Sequence, residues 1–173
     1  MRIVGGKFAG RDLTSPNDFR VRPTAEPIRA ALLDMLGDAV TGARVLDLFA
    51  GTGALGLEAI SRGARTADFV ETRPASLHAL RSNIIRLKLK ERTRVYDRDA
   101  LPFAAALPEG RYDLAFVDPP YGSRMLDRVI DSWHAVGFAR LLVAEHERTH
   151  ALPPGGERWV FEETDTAVTL YTR

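Results

Sequence analysis

Apolar positions along the chain keep two different rhythms. At 44–49 (RVLDLF), 66–71 (TADFVE), 93–97 (TRVYD), 112–118 (YDLAFVD) and 138–145 (FARLLVAE), apolar or β-branched residues run together, as they do in strands buried on both faces. Between these runs, at about 53–62, 74–89, 99–107 and 124–136, the spacing is helical. A further helix is predicted over 26–36, where Ile28, Ala31, Leu32, Met35 and Leu36 share a face. Thr24 or Ala25 stands near its start and Gly37 just past its end, both at the places where helices begin and stop. Strands alternating with helices imply a parallel sheet covered on both sides. The stretch ERWVFEETDTAVTLYTR breaks that alternation, with runs at 158–162 and 166–172 joined by the polar Glu163 to Asp165, which reads as a hairpin. The expected fold is therefore α/β, a doubly wound and mostly parallel seven-stranded sheet with an antiparallel carboxyl-terminal hairpin. No repeat or low-complexity segment interrupts it.

The segment LDLFAGTGALGLEA, Leu46 to Ala59, follows the first strand and contains G-x-G-x-x-G in Gly51, Gly53 and Gly56, with an acid, Glu71, about twenty positions on as a nicotinamide fingerprint requires. In open α/β sheets such a loop lines the ligand site whatever the ligand is. Asp47, however, stands in the strand end four residues before Gly51, where a carboxylate would repel a diphosphate. It suits a ligand with a positive centre, and S-adenosylmethionine has two, an ammonium and a sulfonium. The loop residues Phe49, Ala50, Gly51, Thr52 and Gly53 are then expected at the cofactor, with Glu71 accepting from the ribose hydroxyls. Asp99 is expected to accept from the adenine amine beside the Ala100 N–H. Its other reading is the N-cap of the helix that follows.

FVDPPYG, Phe116 to Gly122, ends the fourth strand. Pro119 and Pro120 fix the backbone and remove two N–H donors, leaving the Asp118 carboxylate and the Pro119 carbonyl as an acceptor pair that matches the two hydrogens of a planar exocyclic amine. Tyr121 offers a face on which a base can stack. A rigid turn without chemistry is the plainer alternative.

Composition narrows the field. The 173 residues fit one domain, with 45% hydrophobic and 27% charged residues, inside the globular range. The absence of cysteine excludes disulfides and thiol catalysis. The amino-terminal stretch lacks a secretory h-region and no long apolar run occurs, so a soluble cytoplasmic protein without a membrane partner is expected. Residues 1–29 hold six basic residues (Arg2, Lys7, Arg11, Arg20, Arg22, Arg29) against three acidic ones (Asp12, Asp18, Glu26), whereas the remainder carries more acid than base. A basic segment, 1–23, is thus expected ahead of a domain over 24–173. It reads either as a contact for an anionic polymer or as an ordinary solvated stretch. HERTH, His146 to His150, matches a zinc-protease pattern, but that pattern needs a helix, and this one follows a strand and meets Pro153 and Pro154. No metal site is expected. His78 and His134 read as partly exposed helix residues, and Ser61 and Ser76 lack triad partners.

With RIVGGKFAGRDL, RPT (Arg22 to Thr24), LDLFAGTGALGLEAISRGA and FVDPPY all in place, nearly the whole chain resembles the RsmD family of 16S ribosomal RNA guanine-N2 methyltransferases, within the larger group that carries (D/N)PP(Y/F/W). The resemblance implies a Rossmann-like class I methyltransferase fold and S-adenosylmethionine as cofactor. Its implied catalytic turn is Asp118, Pro119, Pro120 and Tyr121. RNA contacts fall on Arg2, Lys7, Arg11, Arg20 and Arg22, and the implied substrate is 16S rRNA in a partly assembled small subunit, met by a monomer. One departure is visible: Arg29 is followed by Ala30 where the family usually has glutamate, and Leu33-Asp34 replaces a later Phe-Asn, so that glutamate's role is not carried over. The rivals are a DNA adenine-N6 or protein glutamine-N5 methyltransferase, which leaves the basic segment unexplained, and a nicotinamide oxidoreductase, which leaves DPPY unexplained. An RNA-binding assembly factor without turnover is the third.

Overall fold

The structure, a computed structural model, describes residues 1–16, 25–161 and 164–173. Arg20, Arg22 and the RPT stretch lie outside the described residues, as does the boundary expected near residue 23. The elements run α1 (Glu26–Leu36), β1 (Arg44–Leu48), α2 (Ala54–Ser61), β2 (Thr66–Glu71), α3 (Pro74–Arg86), β3 (Thr93–Asp97), α4 (Ala100–Ala105), β4 (Tyr112–Val117), α5 (Met125–Val136), β5 (Ala139–Glu147), β6 (Glu157–Val160) and β7 (Thr166–Thr172). Each expected element is present. The helix expected to reach residue 89 stops at Arg86, because Lys88 takes a left-handed φ of 58° and the chain turns back to bury Leu89. β5 continues two residues past its expected end, through His146 to Glu147.

All seven strands form one sheet in the order β3-β2-β1-β4-β5-β7-β6. β1 to β5 are parallel, and β7 is antiparallel to β5 on one side and to β6 on the other. From β1 the chain moves outward to β3 and then returns to β4 on β1's other side, so the switch point opens between β1 and β4. A doubly wound sheet binds its ligand there. Alternate residues of each strand face opposite layers. Val45, Phe69, Leu114 and Phe116 join a core with Leu32, Leu33, Leu57 and Leu80 of α1 to α3. Leu46, Val70, Ala115 and Leu142 join a second core with Val129, Ile130 and Trp133 of α5. No helix among the described residues is long and apolar enough to cross a membrane.

Every residue of α2 is buried, because a third layer lies on it. Residues 1–13 fold into a small loop, with the Ile3 N–H donating to Arg11 O and the Gly10 N–H to Ile3 O, both at 2.9 Å, and they dock with Ile3 and Leu13 in the core. Glu58, on α2, fixes the docking. Its carboxylate accepts from the Val4 N–H at 2.9 Å and the Gly5 N–H at 2.6 Å. Arg29 Nε of α1 and Arg62 Nε donate to the same group, each at 3.3 Å. Ser61 Oγ accepts from the Phe8 N–H and donates to Gly5 O. Gly6 has a φ of 74°, and a Cβ there would lie 2.0 Å from Ser61 O, so no other residue fits this approach. Removing one partner of a fully buried ion pair costs about 3–5 kcal/mol. Glu58→Ala should therefore lower the stability read from urea unfolding by about that amount, while Asp34→Ala, at an exposed partner of Arg62, should change it little.

Candidate active site

A cavity of about 330 Å³ opens at the carboxyl edge of the sheet, over the switch point. One wall is the loop after β1, with Asp47, Phe49, Ala50, Gly51 and Thr52. The opposite wall is the turn after β4, with Asp118, Pro119, Pro120 and Tyr121. The two segments singled out in the sequence thus meet because β1 and β4 are neighbours, with Asp47 registered against Phe116 and Leu48 against Val117.

The loop is shaped by two carboxylates. Asp47 is buried and its Oδ2 accepts from the Gly56 N–H at 2.9 Å, satisfying one of the donors left over in the first turn of α2. Gly56 is small because α2 presses on the sheet at this point: a Cβ would meet the Phe69 ring at 2.5 Å and Asp47 Oδ2 at 3.2 Å. Burial pushes the Asp47 carboxyl up to about 8, the Gly56 N–H pulling it down and the nearby Glu71 charge adding to the rise. A buried carboxylate that resists ionisation is one that a cation would stabilise. Glu71, at the end of β2, accepts from the Gly51 N–H and the Thr72 N–H at 2.8 Å each and from the Arg73 N–H at 2.9 Å. It holds the glycine loop against the β2–α3 turn. Phe49, with φ 60°, takes a conformation uncommon for a non-glycine residue, and it too lines the cavity.

Four expected cofactor residues do not line this cavity. Gly53 is the N-cap of α2, and Glu71 lies behind the loop it braces. Asp99 is the N-cap of α4, its carboxylate accepting from the Leu101 N–H at 2.9 Å, with Ala100 the first residue of that helix. The capping alternative for Asp99 is thus realised.

On the far wall, Tyr121 is 38% exposed and its hydroxyl lies 3.1 Å from Thr166 Oγ1 at the start of β7. Val117 is paired with Ala144, so Asp118, just past the end of β4, stands beside Glu145, which lies within β5 two residues before its end. Glu145 is buried and lines the cavity, as do Arg73, Thr164, Thr166 and, from α1, Ala25 and Ile28. None of these was singled out in the sequence. Glu145 carries the same signal as Asp47, a lone acid in an apolar strand, whereas Thr166 has none. Among the described lining residues, three carboxylates face one cation, Arg73.

The described basic residues of the amino-terminal segment, Arg2, Lys7 and Arg11, do not line the cavity. Arg2 pairs with Glu26 at 3.3 Å, next to Ala25 on the cavity wall. Lys7 and Arg11 are exposed, Lys7 Nζ standing 5.6 Å from the Phe8 ring centroid. Asn83 links this segment to the loop, accepting from the Thr14 N–H at 2.7 Å and donating to Thr52 O at 3.1 Å. In HERTH, His146 lies on β5 with its ring nitrogens 2.9 Å from Thr169 Oγ1 and from Glu147 O. Among the described residues no cluster of His, Asp and Glu could hold a metal ion.

Comparison with known proteins agrees with this geometry. The family described as conserved hypothetical protein 95 matches residues 1–170. Ribosomal RNA small subunit methyltransferase D of Escherichia coli K12 is 35% identical over 162 residues, covering 92% of this chain and 81% of its own. The protein of the same name from Haemophilus influenzae is 32% identical, covering 99% and 91%. A solved structure of a hypothetical protein from Thermus thermophilus superposes with a TM-score of 0.84 at 34% identity, covering 100% of this chain and 99% of that one. The fold is that of class I methyltransferases.

Because the folded-state pKa of Asp47 lies above its free value, its contribution to stability is complete below about pH 4 and is lost as the pH rises towards 8. Asp47→Asn should therefore melt above wild type at pH 8.5, and this advantage should shrink steadily as melting is repeated down to pH 4.

Proposed function

Since the chain belongs to the RsmD family, we propose that it is an S-adenosylmethionine-dependent methyltransferase acting on the exocyclic N2 of a guanine in 16S rRNA of the small ribosomal subunit. The observation that carries this reading is the junction, in one cavity, of the Asp47 carboxylate on one wall and the Asp118–Pro119 acceptor pair on the other. A cavity of 330 Å³ falls within the roughly 300–1,000 Å³ of small-molecule sites. Its three carboxylates to one arginine favour a cationic ligand over a dinucleotide with its phosphates. The residues therefore fit the cofactor, which when bound supplies a methyl group already activated on sulfonium. Asp47 would face its positive end, and the Glu71-braced loop from Phe49 to Thr52 would hold the rest.

The amine lone pair of guanine is delocalised into the ring and is a poor nucleophile. Hydrogen bonds from its two N–H groups to the Asp118 carboxylate and the Pro119 carbonyl orient the nitrogen and favour a more tetrahedral geometry, aimed at the methyl group. Asp118 accepts the proton that the nitrogen loses once it is methylated. The exposed face of Tyr121 stacks the base, held upright by its hydroxyl contact to Thr166, after the base has been splayed out of its helix or loop.

Glu145 favours guanine over adenine. Guanine presents an N1–H beside its amine, and a carboxylate next to Asp118 accepts it. Adenine presents a lone pair there, which the same carboxylate repels. The basic amino-terminal segment, with Lys7 and Arg11 exposed, is assigned to the RNA backbone.

S-adenosylmethionine at a hundred times its dissociation constant should stabilise the protein by about 2.7 kcal/mol with proton release below pH 8 as Asp47 ionises, and NAD should not; equal stabilisation by NAD overturns the cofactor reading. Asp118→Ala should lower kcat by about 10² to 10³ with cofactor affinity unchanged. Nucleoside mass spectrometry should find N2-methylguanine, and N6-methyladenine would select the rival. Glu145→Gln should narrow the preference for guanine over 2-aminopurine in an otherwise identical RNA. Replacing Lys7, Arg11 and Arg20 with alanine should flatten the salt dependence of RNA binding while a cofactor melting titration stays unchanged.

A further inference from the structure

A tally of charge along the chain puts the basic excess in the amino-terminal segment. The folded chain holds a second concentration that the tally cannot show. Because β1 to β4 are parallel, their first residues share one edge of the sheet, opposite the active site. There Arg44, Thr66, Thr93 and Tyr112, each the first residue of its strand, line a cavity of about 220 Å³. Its walls carry five arginines, Arg44, Arg65, Arg92, Arg94 and Arg111, against two carboxylates, Asp68 and Glu91.

The arginines divide by what they touch. Arg44 is held by Asp113, at 3.0 Å and 3.1 Å, and by Gly110 O at 3.0 Å. Arg92 donates to the carbonyls of Ala64 and Arg65. These two build the walls. Arg65, Arg94 and Arg111 are exposed, with the Arg111 guanidinium carbon 5.6 Å from the Tyr112 ring centroid. Asp68 accepts the Tyr112 hydroxyl at 2.8 Å, and with Glu91 it is outnumbered by the five guanidinium groups. Guanidinium groups converging from several strands on a polar hollow are the donors that match phosphate oxygens in bidentate fashion.

We infer that this pocket is a phosphate-binding site for the backbone of the RNA substrate, engaged at a distance from the base being methylated. The inference rests on the RNA reading given above and adds a second anchoring point to it. Strands of five or six residues at about 3.3 Å each separate the two edges by roughly 20 Å. The path around the sheet is longer than this straight line, so a stem of a few base pairs presenting the guanine does not reach the pocket, whereas a longer rRNA fragment does.

The test is the triple substitution Arg65→Gln, Arg94→Gln and Arg111→Gln, which removes charge but leaves Arg44 and Arg92 in the walls. With a long 16S rRNA fragment, the slope of log affinity against log salt should fall by roughly 0.7–0.9 for each phosphate that is no longer neutralised. KM should rise severalfold with kcat kept. On a short hairpin both constants should match wild type, and the melting shift with S-adenosylmethionine should be unaltered, which shows that the variant is folded. A wild-type slope on the long fragment, with the short hairpin still methylated, overturns the pocket alone. Stabilisation of wild type but not the variant by inorganic phosphate, together with an unchanged RNA slope, makes it a site for free anion and overturns the RNA assignment. Failure of wild type to bind or methylate RNA of any length overturns both this inference and the reading beneath it.

Discussion

The carboxylate of Glu58 has no exposed surface, yet two backbone amides and two guanidinium groups converge on it. Burying an ion costs several kcal/mol and is offset only when its hydrogen bonds are made in full. Glu58 obtains its bonds from three separate pieces of chain, the amino-terminal segment, α1 and the end of α2, and so holds them in one arrangement. α1 is the piece that matters for the cavity, since Ala25 and Ile28 form part of its wall. Arg29, next to Ile28, also donates to Arg2 O. α1 is thus held by Leu32 and Leu33 in the core and by a salt bridge behind it. Asn83 then ties the same amino-terminal segment to the glycine loop.

The sheet separates two kinds of electrostatics. Towards its carboxyl edge Glu71, Asp47, Asp118 and Glu145 stand at or near the ends of four neighbouring strands, and they divide the work. Glu71 and Asp47 accept from backbone amides, fixing the loop, whereas Asp118 and Glu145 stand across the cavity on the side of β4 and β5. An acidic cavity suits the cationic cofactor and the base amine proposed for it, and it repels phosphates. Positive charge is instead placed on the far edge and on the amino-terminal segment. On the proposed reading, attraction for the RNA is kept away from the chemistry.

Much of this was legible in the residues. The central strands are nearly continuous apolar runs because both faces are covered, and their limits in the sequence fall within a residue or two of those observed. Asp47 stood out for the same reason, as an acid where burial is certain. Glu145 carries that signal too, but it borders HERTH, whose resemblance to a zinc motif directs attention to the histidines. The docking of residues 1–13 was hidden because Gly5, Gly6 and Gly10 suggest a loose loop, whereas Gly6 is required by contact with Ser61. The arginine pocket draws on positions from 44 to 111 interspersed with acids, so only the parallel alignment of strand starts brings it together. Asp99 was open to two readings, since a carboxylate before a helix looks alike whether it caps the helix or meets a ligand, and here it caps α4.

The contact between Tyr121 and Thr166 spans 45 positions, and a ribosome makes those positions in order. At roughly 5–20 residues per second they take about 2–9 s, during which the glycine loop, α2 and the DPPY turn already exist but β7 does not. β7 enters the sheet between β5 and β6, so the strand that steadies Tyr121 is also the one that joins the hairpin to the body. A growing chain has the loop proposed for the cofactor before it has the Thr166 partner of Tyr121. Competence thus arrives late in synthesis, in an enzyme whose substrate class is the RNA of the machine that makes it.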